Sequence, residues 1–151
     1  VAKGSVNGGA YVRATNLHAR MWRNAAQSAL LGSWNPVTFD TVGEDDYGLW
    51  GATPPRFVLP VAGTWRFSAH ICFNTSGSSW GGAALYVNGL STVMSITTAP
   101  ATAPPFIVVP LTITKRFAAS DTLALYIQSS PALVGNVGQY TFFITCEYVC
   151  I

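Results

Sequence analysis

The sequence predicts an all-β fold, many short antiparallel strands closed into a sandwich or barrel. Three observations carry that prediction. First, Trp65, Phe67, Ala69, Ile71 and Phe73 alternate with Arg66, Ser68, His70 and Cys72. A period of two with one apolar side is the pattern of a strand that lines a core. Second, turn-forming residues break the chain at short intervals, at Gly32, Thr53-Pro54-Pro55, Asn88-Gly89 and Ala118 to Asp121. Third, no segment carries a sustained helical period. The one competing helix, Leu17 to Ala26, is short and lies in a stretch that reads as a bent strand.

Taken in order, Val1 to Ala10 is small and Gly-rich and reads as a flexible N-terminal arm before a domain over residues 11–151. Tyr11 to Asn24 is the bent strand. Gln27 to Leu31 is a short apolar piece stopped by Gly32. Trp34 to Asp40 is rich in β-branched and aromatic residues and predicts a strand. Thr41 to Gly48 reads as a polar loop holding three of the 6 acids, Glu44, Asp45 and Asp46. Pro55 to Leu59 is a short apolar strand, and the long alternating strand follows the turn at Pro60 to Gly63. Thr75 to Gly82 reads as a Gly/Ser turn presenting Trp80 at its tip. Ala83 to Val87 is a strand ended by the tight-turn pair Asn88-Gly89. Ser91 to Ile96 predicts another strand. Thr97 to Pro105 predicts a loop, because proline removes ladder donors. Phe106 to Phe117 and Leu123 to Ile127 alternate again across the turn at Ala118 to Asp121. Ser129 to Gly138 reads as a loop and Gln139 to Ile151 as a closing aromatic strand. The alternation assigns Trp65, Phe67, Ile71, Leu85, Leu111, Ile113, Leu123 and Leu125 to a core between two sheets.

A chain of 151 residues is one domain, with at most a small appendage. Hydrophobic residues make up 50% and charged residues 9%, against a usual charged share of about 25%. A monomer of this mass exposes roughly 7,400 Å², so its fourteen formal charges cover it at roughly one per 530 Å². So thin a charge coat points to an oligomer that hides much of its surface.

The net charge of +2 argues against nucleic acid as a partner. The only dense basic stretch, Arg13, Arg20 and Arg23, suits the anchoring of an N-terminal strand better than a phosphate-binding arm. No apolar run approaches the ~20 residues that cross a bilayer, so no membrane insertion is expected. Cys72, Cys146 and Cys150 are odd in number. Cys146 and Cys150 share a face of one extended strand, about 13 Å apart, beyond disulfide reach. All three read as reduced and mostly buried, which fits assembly in a reducing cytosol. With only His18 and His70 beside them, zinc is not expected, nor is any other cofactor.

Several segments together resemble a known family. Phe39-Asp40, Tyr47-Gly48-Leu49-Trp50, Phe57-Val58-Leu59-Pro60 and Ala62-Gly63-Thr64-Trp65-Arg66-Phe67 resemble the globular head of complement C1q and its tumour-necrosis-factor (TNF) relatives. There the corresponding strand opens with Gly-x-Tyr-x-Phe; here Trp65 stands in the Tyr position. Leu85-Tyr86-Val87-Asn88-Gly89, the run Phe117 to Leu125 and the closing strand Thr141 to Val149 are similar as well. The wording is most similar to C1q-like domains of bacteriophage virion proteins. The resemblance covers roughly residues 30–149. It implies an antiparallel two-sheet jelly-roll sandwich of about ten strands, a homotrimer, and a structural role on the virion surface. A trimeric capsid decoration, head fibre or tail-associated module contacting the major capsid or tail protein is the expected function. A receptor- or glycan-binding module at a tail or fibre tip, contacting a host surface glycan, is the alternative.

If Trp65, Phe67 and Ile71 point into the sandwich, the alternate residues point away from it. With the resemblance placing this strand and the closing strand at a threefold axis, Arg66, Ser68, His70, Cys72, Phe143 and Tyr148 are the expected trimer contacts. The pattern alone leaves open which of Phe142 and Phe143 faces the neighbour, since a bulge swaps them. Trp80 and Trp50 are the candidates for ligand or partner contact, as apolar plates with a donor edge. Glu44, Asp45 and Asp46 are weak calcium candidates, because hard cations take several loop oxygens, but their spacing matches no EF-hand loop. No catalytic site is expected. His70 and Asp121 lack a Gly-x-Ser-x-Gly elbow for a hydrolytic triad, and no acid pair stands at glycosidase spacing.

Overall fold

The computed structural model describes residues 4–6, 9–11, 17–29, 32–45, 47–74, 78–100, 106–130, 133–135 and 142–150; for 4–6, 9–11 and 133–135 only the backbone is considered. Among the described residues every regular element is a strand. In chain order they are β1 (Gly4–Val6), β2 (Gly9–Tyr11), β3 (His18–Trp22), β4 (Ser28–Ala29), β5 (Asn35–Pro36), β6 (Thr41–Glu44), β7 (Trp50–Ala52) and β8 (Pro55–Val58). Then follow β9 (Gly63–Asn74), β10 (Ser79–Val87), β11 (Leu90–Ala99), β12 (Phe106–Phe117), β13 (Thr122–Ser130), β14 (Leu133–Gly135) and β15 (Phe142–Cys150).

Two antiparallel sheets face each other in a jelly roll. One runs β11-β10-β13-β8-β7, with β5 also on β13. The other runs β6-β3-β15-β9, with β12 on the far side of β9 and β14 and β4 continuing beside it. β1 and β2 form a separate hairpin within the stretch expected to be a flexible arm.

β9 organises the second sheet, pairing along its length with β12 and with β15. Its apolar side enters the core as the alternation requires. Trp65, Phe67, Ile71 and Phe73 are fully buried, and Leu85, Leu111, Leu123 and Leu125 meet them from β10, β12 and β13. Ile113 is only half-buried at the core's edge. One edge-on aromatic contact ties the layers, Phe57 to Phe67 at 6.1 Å, and two more join neighbouring strands within a sheet, Trp50 to Phe57 at 5.1 Å and Trp65 to Tyr148 at 5.2 Å. The Trp65 indole donates to the Val61 carbonyl at 3.2 Å, so its one polar atom is satisfied.

Several boundaries move. Thr41–Glu44 is not loop but an edge strand on β3, with Gly43 as the extra residue where the register shifts. The Trp22 ring lies against Gly43, where any side chain would collide with it. Ser79–Gly82 is strand rather than turn, since Gly81 lies directly over Phe73. β11 runs on through Thr97 to Ala99, and β13 through Ser129 and Ser130. Leu133–Gly135 adds a short strand inside the expected loop. Within Trp34 to Asp40 only Asn35–Pro36 joins a ladder, although Val37 and Phe39 are buried and the Val37 amide donates to Leu125. The Asn88-Gly89 turn forms with both residues at positive φ, 51° and 82°, as a tight hairpin demands.

Candidate assembly face

The outward side of the β6-β3-β15-β9-β12 sheet is where the expected contact residues fall. Register sets its rows. The middle row is Thr112, Ser68, Thr145, Arg20 and Glu44. Next to it runs Pro110, His70, Phe143, Trp22 and Thr41. On the other flank are Thr114, Arg66, Glu147 and His18. The opposite faces of β9 and β15 fill the core, so these side chains point away from it.

Two rings and a cation meet at the centre. His70 and Phe143 stack with centroids 5.5 Å apart and planes 14° from parallel. The Arg20 guanidinium carbon lies 5.0 Å from the centre of the same phenyl ring, in cation–π range. Phe143, His70, Trp22 and Thr145 are half-buried, neither core nor freely exposed. The His70 Nδ1 is shielded from solvent and has no hydrogen-bond partner among the described residues. To one side of this centre Arg66 and Glu147 form an ion pair at 2.8 Å, and the His18 Nδ1 lies 3.0 Å from a Glu44 carboxylate oxygen.

The six expected contacts divide. Arg66, Ser68, His70 and Phe143 share this face. Phe142 takes the core side, buried at 1%, and Phe143 the outward side. Tyr148 belongs to the core, edge-on against Trp65, because it stands opposite Trp65 in the register. Cys72 lies on the outward side of β9 but is covered within its own chain, 3% exposed. Residues absent from the expectation complete the face: Thr112, Thr145, Arg20, Trp22 and Pro110. The alternation of His18, Arg20 and Trp22 against Ala19 and Met21 is the sequence signal for three of the strand positions involved.

The other candidates take structural places. Trp80 lies within β10, half-buried, and not at a loop tip. Trp50 is half-buried between Phe39 and Phe57. Asp45 spends both carboxylate oxygens on backbone, accepting from the Leu49 amide at 2.6 Å and the Trp50 amide at 2.9 Å. Glu44 holds His18 from β6. Asp46 and Arg13 lie outside the described residues. Among the described residues no three of His, Cys, Asp and Glu gather as a metal site would require. Asp121 caps its turn through the Ala118 amide and binds Asn88, on the sheet opposite His70.

Arg23 is a staple rather than a free cation. It donates to the Ala25 carbonyl and the Thr38 hydroxyl at 2.8 and 2.7 Å. Burial lowers its pKa, and the nearby Asp40 opposes that shift. Cys146 is buried in the core and its thiol is pushed far up, by burial first and then by Asp45 and Glu147. Cys150 is exposed, contrary to the expectation of burial. The cause is a register shift between Tyr148 and Cys150, which breaks the parity that would have placed Cys150 beside Cys146.

No protein-family model and no curated protein matches the chain. Solved structures do. Eiger TNF from S. frugiperda superposes with a TM-score of 0.66 at 10% identity, over 89% of this chain and 92% of that one. Murine APRIL at pH 5.0 gives 0.66 at 10% identity, over 87% and 98%. The globular domain of zebrafish complement 1qA gives 0.64 at 14% identity, over 87% and 96%. The chain therefore has the jelly-roll fold of TNF and C1q globular domains.

Proposed function

We propose that this chain is a non-enzymatic structural module that assembles as a homotrimer on a virion surface, as a decoration, head fibre or tail-associated knob. In this reading three copies meet through the outward side of β6-β3-β15-β9-β12. The observation that carries it is the half-buried Arg20–Phe143–His70 cluster on a sheet whose other side is already full. A neighbouring copy would bury the rest of these half-buried rings. The thin charge coat and the likeness to TNF and C1q globular domains support the same reading. The interface should exceed about 2,000 Å² per pair of copies.

The test is sedimentation of the purified chain beside Phe143→Glu and Thr145→Arg. The native chain should sediment as a trimer and both variants as monomers that keep their β-sheet circular dichroism. Attachment is tested separately, by immunogold labelling of purified particles. Regular labelling of heads supports decoration, labelling confined to tails supports a tail module, and unlabelled particles contradict a virion role.

A further inference from the structure

The opposite sheet carries a feature that the assembly reading leaves unused. On its outward side Tyr86 of β10 and Tyr126 of β13 stack with centroids 4.0 Å apart and planes 30° from parallel. Their immediate partners in the ladder are alanines, Ala124 opposite Tyr86 and Ala84 opposite Tyr126. That leaves the two rings room to lean together diagonally. Beside them the sheet continues to β8, which brings Pro54, Pro55 and Arg56 across from the tyrosines. The result is an open cavity of about 150 Å³, with Pro36 beside Tyr126 and Thr122 and Ala124 between the walls.

Its chemistry is specific in two respects. The lining is rich in rings, tyrosine and proline, which suit the apolar face of a six-membered ring. Its volume equals that of an engineered cavity that takes benzene, room for one such ring. The single charge is Arg56, exposed and without an ion pair or side-chain hydrogen bond among the described residues. No carboxylate lines the cavity to neutralise it. A guanidinium fork left open beside an apolar ring seat matches a carboxylate carried on a ring.

We infer that this cleft is a binding site for a carboxylate-bearing pyranose, a hexuronic or sialic acid at the end of a glycan. The ring lies against Tyr86 and Tyr126 and the carboxylate meets Arg56. The site differs from Trp80 and Trp50, the aromatic candidates of the sequence, and does not depend on the assembly face. It opens on the opposite sheet, so it stays accessible in a trimer built through β9 and β15.

The full chain titrated with methyl glucuronide, sialic acid and methyl glucoside, followed by ligand-observed NMR, tests it. One or both acidic sugars should bind in the millimolar range and the glucoside about tenfold more weakly, about 1.4 kcal/mol for the lost ion pair. Arg56→Gln, an exposed position safe for folding, should reduce the acidic sugar to the level of the glucoside. Tyr126→Ala should remove both, with retained circular dichroism as its control. Equal binding of charged and neutral sugars, indifference to Arg56→Gln, no binding of any sugar, or preferential binding of an acidic proline-containing peptide would each overturn the inference.

Discussion

Phe67 shows what one buried side chain carries. It is fully enclosed and touches Phe57 edge-on, so Phe67→Ala should cost about 3–5 kcal/mol in urea unfolding. Asp40 acts through charge. Burial pushes its carboxyl up, but the amides of Asn24 and Ala25, the Thr41 hydroxyl and the Arg23 charge outweigh that and hold its pKa below the ordinary value. Since the folded pKa is the lower, the unfolded chain binds more protons through the acid range. The stabilisation is complete above the unfolded value of about 3.9 and is lost as pH falls through the folded one. Asp40→Asn should therefore cost about 1 kcal/mol at neutral pH, and the difference from the native chain should close on acidification. The thiols offer a third check. Cys72 and Cys146 are buried and Cys150 is exposed, so a thiol reagent should titrate one cysteine rapidly in the native protein and all three after denaturation. The sequence alone placed Cys150 with Cys146, because parity in a strand is legible only until a bulge breaks it.

At the scale of elements, the strands that alternate cleanly, β9, β12, β13 and β15, were legible because a half-buried surface imposes the period of two directly on residue type. The pieces that were missed owe their conformation to distant contacts. Thr41–Glu44 looks like a polar loop, yet it pairs with β3 because Gly43 admits the Trp22 ring. Ser79–Gly82 looks like a turn, yet Gly81 is in strand because Phe73 occupies the space a side chain would take. A Cβ added at Gly81 falls 2.6 Å from the Phe73 ring. Phe73 is fully buried and has little room to yield. Gly81→Ala should therefore destabilise the fold by about 1–3 kcal/mol, as overpacking does, measured as a fall in the urea midpoint. Arg66, Ser68 and His70 were legible as one face from β9 itself. Tyr148 was misplaced although it shares the parity of Phe142, Ile144 and Cys146 and the register shift comes only after it; grouping it with Phe143 broke that alternation.

For the whole molecule, the two sheets present outward sides of different character. One outward side carries the Arg20–Phe143–His70 cluster beside the Arg66–Glu147 ion pair, and the other carries the tyrosine cleft with Arg56. A low charge content and a two-faced β9 fit a chain that completes itself by association. Sedimentation equilibrium at micromolar concentration tests this most directly. The account predicts one species at three times 16.1 kDa, reduced to one protomer by Phe143→Glu and by Thr145→Arg with the fold retained. A stable, folded native monomer, or a trimer indifferent to both substitutions, would contradict it.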